Sequence, residues 1–505
     1  MSRWSCCLTN VVRHSRLIVV AGFVWVSCIV GCTRQPTAPA ETELPLRDIA
    51  LKLLVVDDEP LAKAIALLRG QWQAETGSKL SVDSVSQADF IARTAGGDLT
   101  ADAVIYAPRL LGTLVESRAI STIARDSLAS REMDWADFFE LLKTREVTWG
   151  GEVYAIPLGS PVFVCFYRED IFESLDLKAP RTWEEYRDIV AVLAKQEMPS
   201  TNSNEQSTVL DAKASEWSAT VEPWGPGWAG LALLAHASAY ARHPNHYSTL
   251  FNMQTMEPML ASPPFVRALH ELVALTKLLP PAALECNPDD AWRALLAGQT
   301  GMAVCWPVIN GSTAQGEAGL RGADLPQIGC VELPGSPDVY NATAMKWERR
   351  AEGTTRVPLL GITGRVGSVC AKSAQPAAAL QLLAWLASRK WSERIDTASD
   401  ATTLFRTSQV ATAEAWSRGL RAPEAKRYAS AVAASLTAAE CLVLPRIAGA
   451  ERYLAALDEA VRQALAGQQT PAEALAKAAD AWRAITAELG LERQRAAYQR
   501  SLGLE

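Results

Sequence analysis

The sequence predicts an α/β protein. Near its start, apolar runs of strand length alternate with segments of helical periodicity, which is the pattern of a parallel sheet crossed by helices. In the last quarter the periodicity is helical throughout. Of 505 residues, 49% are apolar and 21% charged, an ordinary globular balance with enough apolar surface for two or three domains or one large two-part unit.

Arg3, Arg13, His14 and Arg16 form a cationic head, and an apolar run follows from Leu17 to Val30. The run is shorter than the roughly 20 residues a bilayer span needs. It ends in Ile29-Val30-Gly31-Cys32, where the composition turns polar. Residues 1–31 therefore read as an export signal, and 32–46, rich in Thr, Pro, Ala and Glu, as a flexible tether. The four residues ending in Cys32 resemble a bacterial lipobox with Ile29 in the place of its usual leucine. That resemblance implies that Cys32 is lipidated and that the chain is anchored to a membrane, periplasmic or otherwise extracytoplasmic.

The ordered elements follow. Leu51 to Val56 is a strand. Pro60 opens a helix with Leu61, Ile65, Leu68 and Trp72 on one face, and Gly77 stops it. Leu80 to Val85 alternates as a strand, and Ala103 to Tyr106 is another. A helix is expected from about Arg109 to Ser117, then a hairpin from Val147 to Ile156 turning at Gly150-Gly151. Val162 to Tyr167 is a buried strand. Thr182 and Glu185 form a capping-box pattern that starts a helix running to about Lys195. Residues 197–222 are polar and read as a surface insertion with a short helix near Val209 to Trp217. Helices dominate from Ser262 to Gly298. Strand character returns at Gly301 to Trp306, Gln327 to Leu333 and within Val357 to Val369, and helices resume from Gln375.

The formal charge is −7, with 49 basic and 56 acidic residues and no basic run, which excludes a nucleic-acid binder. Ten cysteines include no CxxC pair, so zinc and redox sites are not expected, and those in strands read as buried thiols. Leu53 to Pro60 looks like the start of a receiver domain, but Tyr106-Ala107-Pro108 stands where the phosphorylated Asp would be. His243 and His246 have a spacing that could seed a metal site, yet Pro244 breaks the helix that would align them. No GxSxG, HExxH or phosphate loop is present, and no cofactor is expected.

Six segments, in order, resemble the extracellular solute-binding proteins grouped with maltose-binding protein. They are Asp102 to Arg109; the hairpin Gly151-Glu-Val-Tyr-Ala-Ile-Pro-Leu158; Phe166 to Phe172; the helix start Pro180-Arg-Thr-Trp-Glu-Glu-Tyr186; Gly298 to Trp306; and Pro376 to Leu386. The resemblance implies a two-lobed periplasmic-binding-protein fold, type II-like, with hinge-crossing strands near Val162–Phe166, Ala303–Trp306 and Val366–Cys370. It places 47–163 with 307–366 in one lobe and 167–303 with 370–505 in the other, the latter carrying a helical C-terminal extension. It implies no chemistry: the protein holds a small solute, expected to be a carbohydrate, and delivers it to ABC permease subunits. A secreted carbohydrate-active hydrolase and an envelope ligand sensor are the alternative readings.

A sugar offers hydroxyls at its edges and apolar C–H faces, so its site needs aromatic platforms beside charged hydrogen-bonders. Sixteen tryptophans supply platforms. The expected ligand site comprises Asp58 and Glu59 after strand one, Tyr106 and Arg109 after strand three, Pro161 and Phe163 at the first crossing, Trp224 and Trp228 in Trp-Gly-Pro-Gly-Trp, Trp306, Arg365 and Arg406. Open α/β sheets bind ligands beyond the carboxyl ends of their strands, which favours Tyr106 and Arg109.

Overall fold

A computed structural model describes residues 45–131, 133–196, 217–308, 326–351, 353–417 and 419–504. The signal, most of the tether with Cys32, and the helix expected near 209–217 lie outside the described residues.

Two sheets organise the chain. In the first, Lys79–Val85, Ala50–Val56 and Ala103–Tyr106 lie side by side and parallel. Val366–Val369 then runs antiparallel to Ala103–Tyr106, with Val366 opposite Tyr106, and Ile156–Pro157 closes the edge. Leu51, Leu53, Leu54, Val55 and Val56 are all buried, because helices cover this strand on both faces. The helix Glu59–Thr76 begins where Asp58 accepts from Leu61 N and ends where Gly77 turns left-handed at φ 83°. Its stripe Leu61, Ile65, Leu68 and Trp72 is buried.

The second sheet has the order Ile328–Glu332, Val164–Arg168, Thr300–Cys305, Ser218–Val221. Val164–Arg168 is antiparallel to both neighbours, and Ser218–Val221 is parallel to Thr300–Cys305. Thr182 caps the helix Trp183–Leu193 by accepting from Glu185 N, while Glu185 reaches back to Arg181 N rather than closing the expected box on Thr182. The helix Ala229–Ala241 is buried on every side from Ala229 to Tyr240, as its largely apolar sequence requires, and its buried His236 and Ser238 are hydrogen-bonded to Glu222 and to Val357 O.

Pairing divides the chain differently from the expected segments. Ile328–Glu332 joins the second sheet, and the hairpin Asp338–Asn341 with Lys346–Arg349 packs on the helices Ala229–Ala241 and Pro263–Thr276. The segment 307–366 is thus not a first-lobe segment; the chain regains the first sheet only at Val366–Val369. Conversely, the helices Pro376–Leu386 and Arg389–Asp396, expected in the second lobe, pack on the first sheet and on Glu59–Thr76. Strand character is local, whereas the sheet a strand joins depends on partners far away in sequence. Residues 218–221, read as part of a polar insertion, form a fully buried strand.

The C-terminal extension touches both lobes. The helix Ala450–Leu465 packs on Ala229–Ala241 and on Pro471–Leu489, whose start Thr470 and Glu473 form a complete capping box. The last helix, Leu491–Ser501, lies against Leu111–Glu116 of the first lobe, where Gly150 N donates to Arg500 O at 3.0 Å. Cys165, Cys305, Cys330, Cys370 and Cys441 are buried free thiols.

Candidate ligand-binding cleft

The expected residues Asp58, Tyr106, Arg109 and Arg365 stand at one end of the first sheet. After Val56 the backbone turns left-handed at Asp57 (φ 53°), and Asp58 follows. Asp58 Oδ1 accepts from Leu61 N at 3.0 Å, while Oδ2 accepts from Arg365 Nε at 2.8 Å and Ser399 Oγ at 2.5 Å. Arg365 also donates to the carbonyls of Asp57 (3.0 Å) and Gly364 (2.7 Å). Both side chains are buried, and burial lowers the Arg365 pKa while Asp58 opposes that change. The pair fastens the returning crossing to the first strand, and its hydrogen-bonding capacity is largely spent.

Of four other expected site residues, three are enclosed in the core and one stands on the surface. Glu59 is exposed and pairs with Lys63 at 2.8 Å. Tyr106 is completely buried, its hydroxyl 2.7 Å from Ser368 Oγ, and burial pushes its pKa upward. Trp224 has no exposed surface. Arg406 is equally enclosed: it donates to Ala387 O at 2.6 Å and Met133 O at 3.0 Å, pairs with Asp137, and lies 4.0 Å over the Phe138 ring. It is a strut inside the first lobe. For Tyr106, Trp224 and Arg406 the expectation is corrected by one physical fact, that a side chain without solvent access is not free to meet a solute; Glu59 stays on the exposed face of its helix in a weak surface pair.

Three expected residues are brought together. The Phe163 and Trp306 rings lie 5.2 Å apart, and Trp228 stands 5.8 Å from Trp306. Pro161 is buried in the same crossing. Phe163 and Trp306 are buried, and Trp228 is partly exposed, so the three form a shelf with Trp228 at its lip. The turn before Trp228 needs its glycines. Gly227 has φ 82°, and a Cβ on Gly225 would sit 2.6 Å from Glu285 O. Asp458 holds the turn by accepting from Gly227 N at 2.8 Å and Gly230 N at 3.1 Å.

A polar pair spans the lobes. Arg109, whose side chain is 24% exposed, is bonded through Nε to Glu451 in the first turn of the helix Ala450–Leu465. Arg109 Nη1 also reaches Ile362 O at 3.4 Å, and Gln87 donates to the same Glu451 oxygen at 3.4 Å. Glu451 and Asp458 are seven residues apart on one helix face, so about 10 Å separates this polar group from the Trp228 turn. Glu451 and Gln87 were not expected in a site. In sequence, Glu451 reads as an acid complementing a helix N-terminus, and only folding shows that Arg109 lies beside it.

His243 and His246 lie with ring centroids 4.5 Å apart, and His243 Nε2 is 3.2 Å from Glu348. Among the described residues no three His, Cys, Asp or Glu side chains are grouped to hold a metal.

Two sheets with crossing segments, an aromatic shelf and a lobe-spanning polar pair define a two-lobed binding protein. The family model of the bacterial extracellular solute-binding proteins matches residues 57–393, and the chain belongs to this family. No curated protein matches the sequence. Among solved structures, an ABC-transporter solute-binding protein of Agrobacterium radiobacter in complex with ribitol is 19% identical with a TM-score of 0.60, over 87% of this chain and 100% of that one. The sugar-binding protein MalE of Xanthomonas citri is 15% identical with a TM-score of 0.63, over 87% and 98%. A maltose-bound MalE protein of T. maritima is 16% identical with a TM-score of 0.60, over 86% and 100%. At these identities the likeness establishes the two-lobed fold.

Proposed function

We propose that this protein is the solute-binding component of an ABC importer, and that it holds a carbohydrate or polyol between its lobes and releases it unaltered to a permease. The observation that carries this reading is the partly exposed Trp228, whose ring lies 5.8 Å from that of Trp306, itself packed on Phe163; the turn before Trp228 is held by Asp458, about 10 Å along its helix from Glu451, the partner of Arg109. An apolar ring face suits the C–H face of a sugar, and an arginine–glutamate pair supplies donors and acceptors for its hydroxyls. Ribitol, mannitol, tagatose and maltose, bound by proteins of the same fold, support this solute class. Binding shifts the lobes from open to closed because a solute touching both walls favours the closed state. The sequence around Cys32 supports a lipid anchor; a Cys32→Ser chain that stays in the membrane fraction would remove it.

The test is thermal unfolding of residues 45–505 with polyols, mono- and oligosaccharides, followed by recovery of the solute. One class should raise the midpoint and return uncleaved. Trp228→Ala should abolish the rise while leaving the unliganded midpoint within a few degrees. Trp306→Ala is less informative, because emptying that buried position costs about 3–5 kcal/mol of fold stability by itself. Cleaved solute, or no response to any member of these classes, sinks the proposal.

A further inference from the structure

A second hollow, of about 40 Å3, opens where three parts of the molecule meet. They are the π-helical turn Leu142–Glu146 of the first lobe, the chain following the helix Ala229–Ala241 of the second, and the C-terminal extension. Arg145, Arg242 and Arg446 line it, one from each part, together with Cys441, Tyr498 and Ser501. None of the aromatic shelf or the Arg109 pair lines it.

The charges here are poorly answered. Arg446 is buried and donates only to carbonyls, those of Glu146 (3.1 Å), Thr148 (3.1 Å) and Ser501 (2.5 Å). Arg242 Nη1 donates to the carbonyls of His243 (2.8 Å) and His246. Arg145 makes no side-chain hydrogen bond or ion pair among the described residues. Two carboxylates act on this cluster. Glu146 is buried and takes a hydrogen bond from Ser160 Oγ at 2.6 Å, and burial pushes its pKa up to about 7; Glu440 is paired with Arg350 at 3.2 Å. Burial, with repulsion from Arg145 added, lowers Arg446 to about 10, and burial also lowers Arg242.

We propose that this hollow binds a small tetrahedral oxyanion, phosphate or sulfate, whose oxygens bridge Arg145 of the first lobe, Arg242 of the second and Arg446 of the extension. Guanidinium groups suit such an anion because their N–H fork matches two of its oxygens. A space of about 40 Å3 corresponds to roughly three water positions, at about 10–15 Å3 each, which fits an oxyanion and not a sugar. The site is independent of the solute cleft.

Thermal unfolding of the full chain in phosphate, in sulfate and in chloride, at one ionic strength, tests it. One or both oxyanions should raise the midpoint by about 1–3 °C over chloride, growing with the logarithm of concentration. Which oxyanion acts identifies the ligand. Arg145→Gln should remove that rise, yet in chloride it should melt no lower than the parent, since it relieves repulsion and breaks no contact. An equal response in chloride, or an undiminished oxyanion response in Arg145→Gln, overturns the proposal.

Discussion

Arg365 and Arg109 stand at the same end of the first sheet, because Val366 pairs with Tyr106, and yet they have opposite fates. Arg365 is buried against Asp58, Ser399 holds the same carboxylate, and the whole group lies inside one lobe. Arg109 is partly exposed and reaches to Glu451 on the C-terminal extension. The lesson is that desolvation decides what an arginine can do. A buried pair has given up its water and cannot exchange its partner without a large penalty. A rim pair keeps its water and gains little from its partner, so a solute can replace that partner cheaply.

The largest effect should come from breaking the buried pair. Arg365→Ala leaves the carboxyl group of Asp58, 5% exposed, without its guanidinium partner, at a cost of about 3–5 kcal/mol. Denaturant titration of the parent and variant measures it. A loss below about 1 kcal/mol would mean that Arg365 is no more committed than Arg109, and the contrast would disappear.

The buried side of the comparison extends to Glu146, which meets Ser160 on the first crossing. Its folded pKa of about 7 lies above its ordinary 4.5, so the native fold prefers the neutral acid. The stabilising contribution is therefore complete below about pH 4.5 and is lost as pH rises through 7. Glu146→Gln cannot ionise. Between pH 4.5 and 8 the stability of the parent should fall relative to this variant by on the order of 2–3 kcal/mol, since the slope between the two pKa values is about 1.4 kcal/mol per pH unit. A constant difference across that range would show that this buried carboxyl titrates as an exposed one does.

The sequence was a good guide to what is local and a poor one to what is distant. The helix Glu59–Thr76 could be read from Asp58, Pro60, its apolar stripe and Gly77, all within twenty residues. Trp-Gly-Pro-Gly-Trp was expected to supply two site tryptophans, and one of them, Trp228, is partly exposed. Nothing nearby distinguishes it from Trp224; the difference comes from Asp458 and Glu285, which fix the turn from elsewhere in the chain. The same holds for the arginines. Each of Arg109, Arg365 and Arg406 follows or precedes a strand-like run, but their partners Glu451, Asp58 and Asp137 lie hundreds of residues away, and no local pattern encodes them. Sheet membership failed for this reason too: Ile328–Glu332 carries ordinary strand chemistry and could have joined either sheet.

The smallest effect on stability should come from Arg109, and it is the sharpest test of the contrast. Its side chain is 24% exposed and that of Glu451 49%, so the pair is worth less than about 1 kcal/mol. Arg109→Ala and Glu451→Gln should each leave the unliganded chain nearly as stable as the parent. Their double variant should show a coupling of at most a few tenths of a kcal/mol. If the pair is the polar end of the solute site, each variant should still lose most of the solute-induced rise in melting midpoint, because the hydroxyls would then lack a donor or an acceptor on one wall. An unliganded loss above about 2 kcal/mol from Arg109→Ala would make this pair a fastener like Asp58–Arg365. An unchanged solute response would leave the aromatic shelf as the whole of the site, with Arg109 and Glu451 acting only as a surface contact between the lobes.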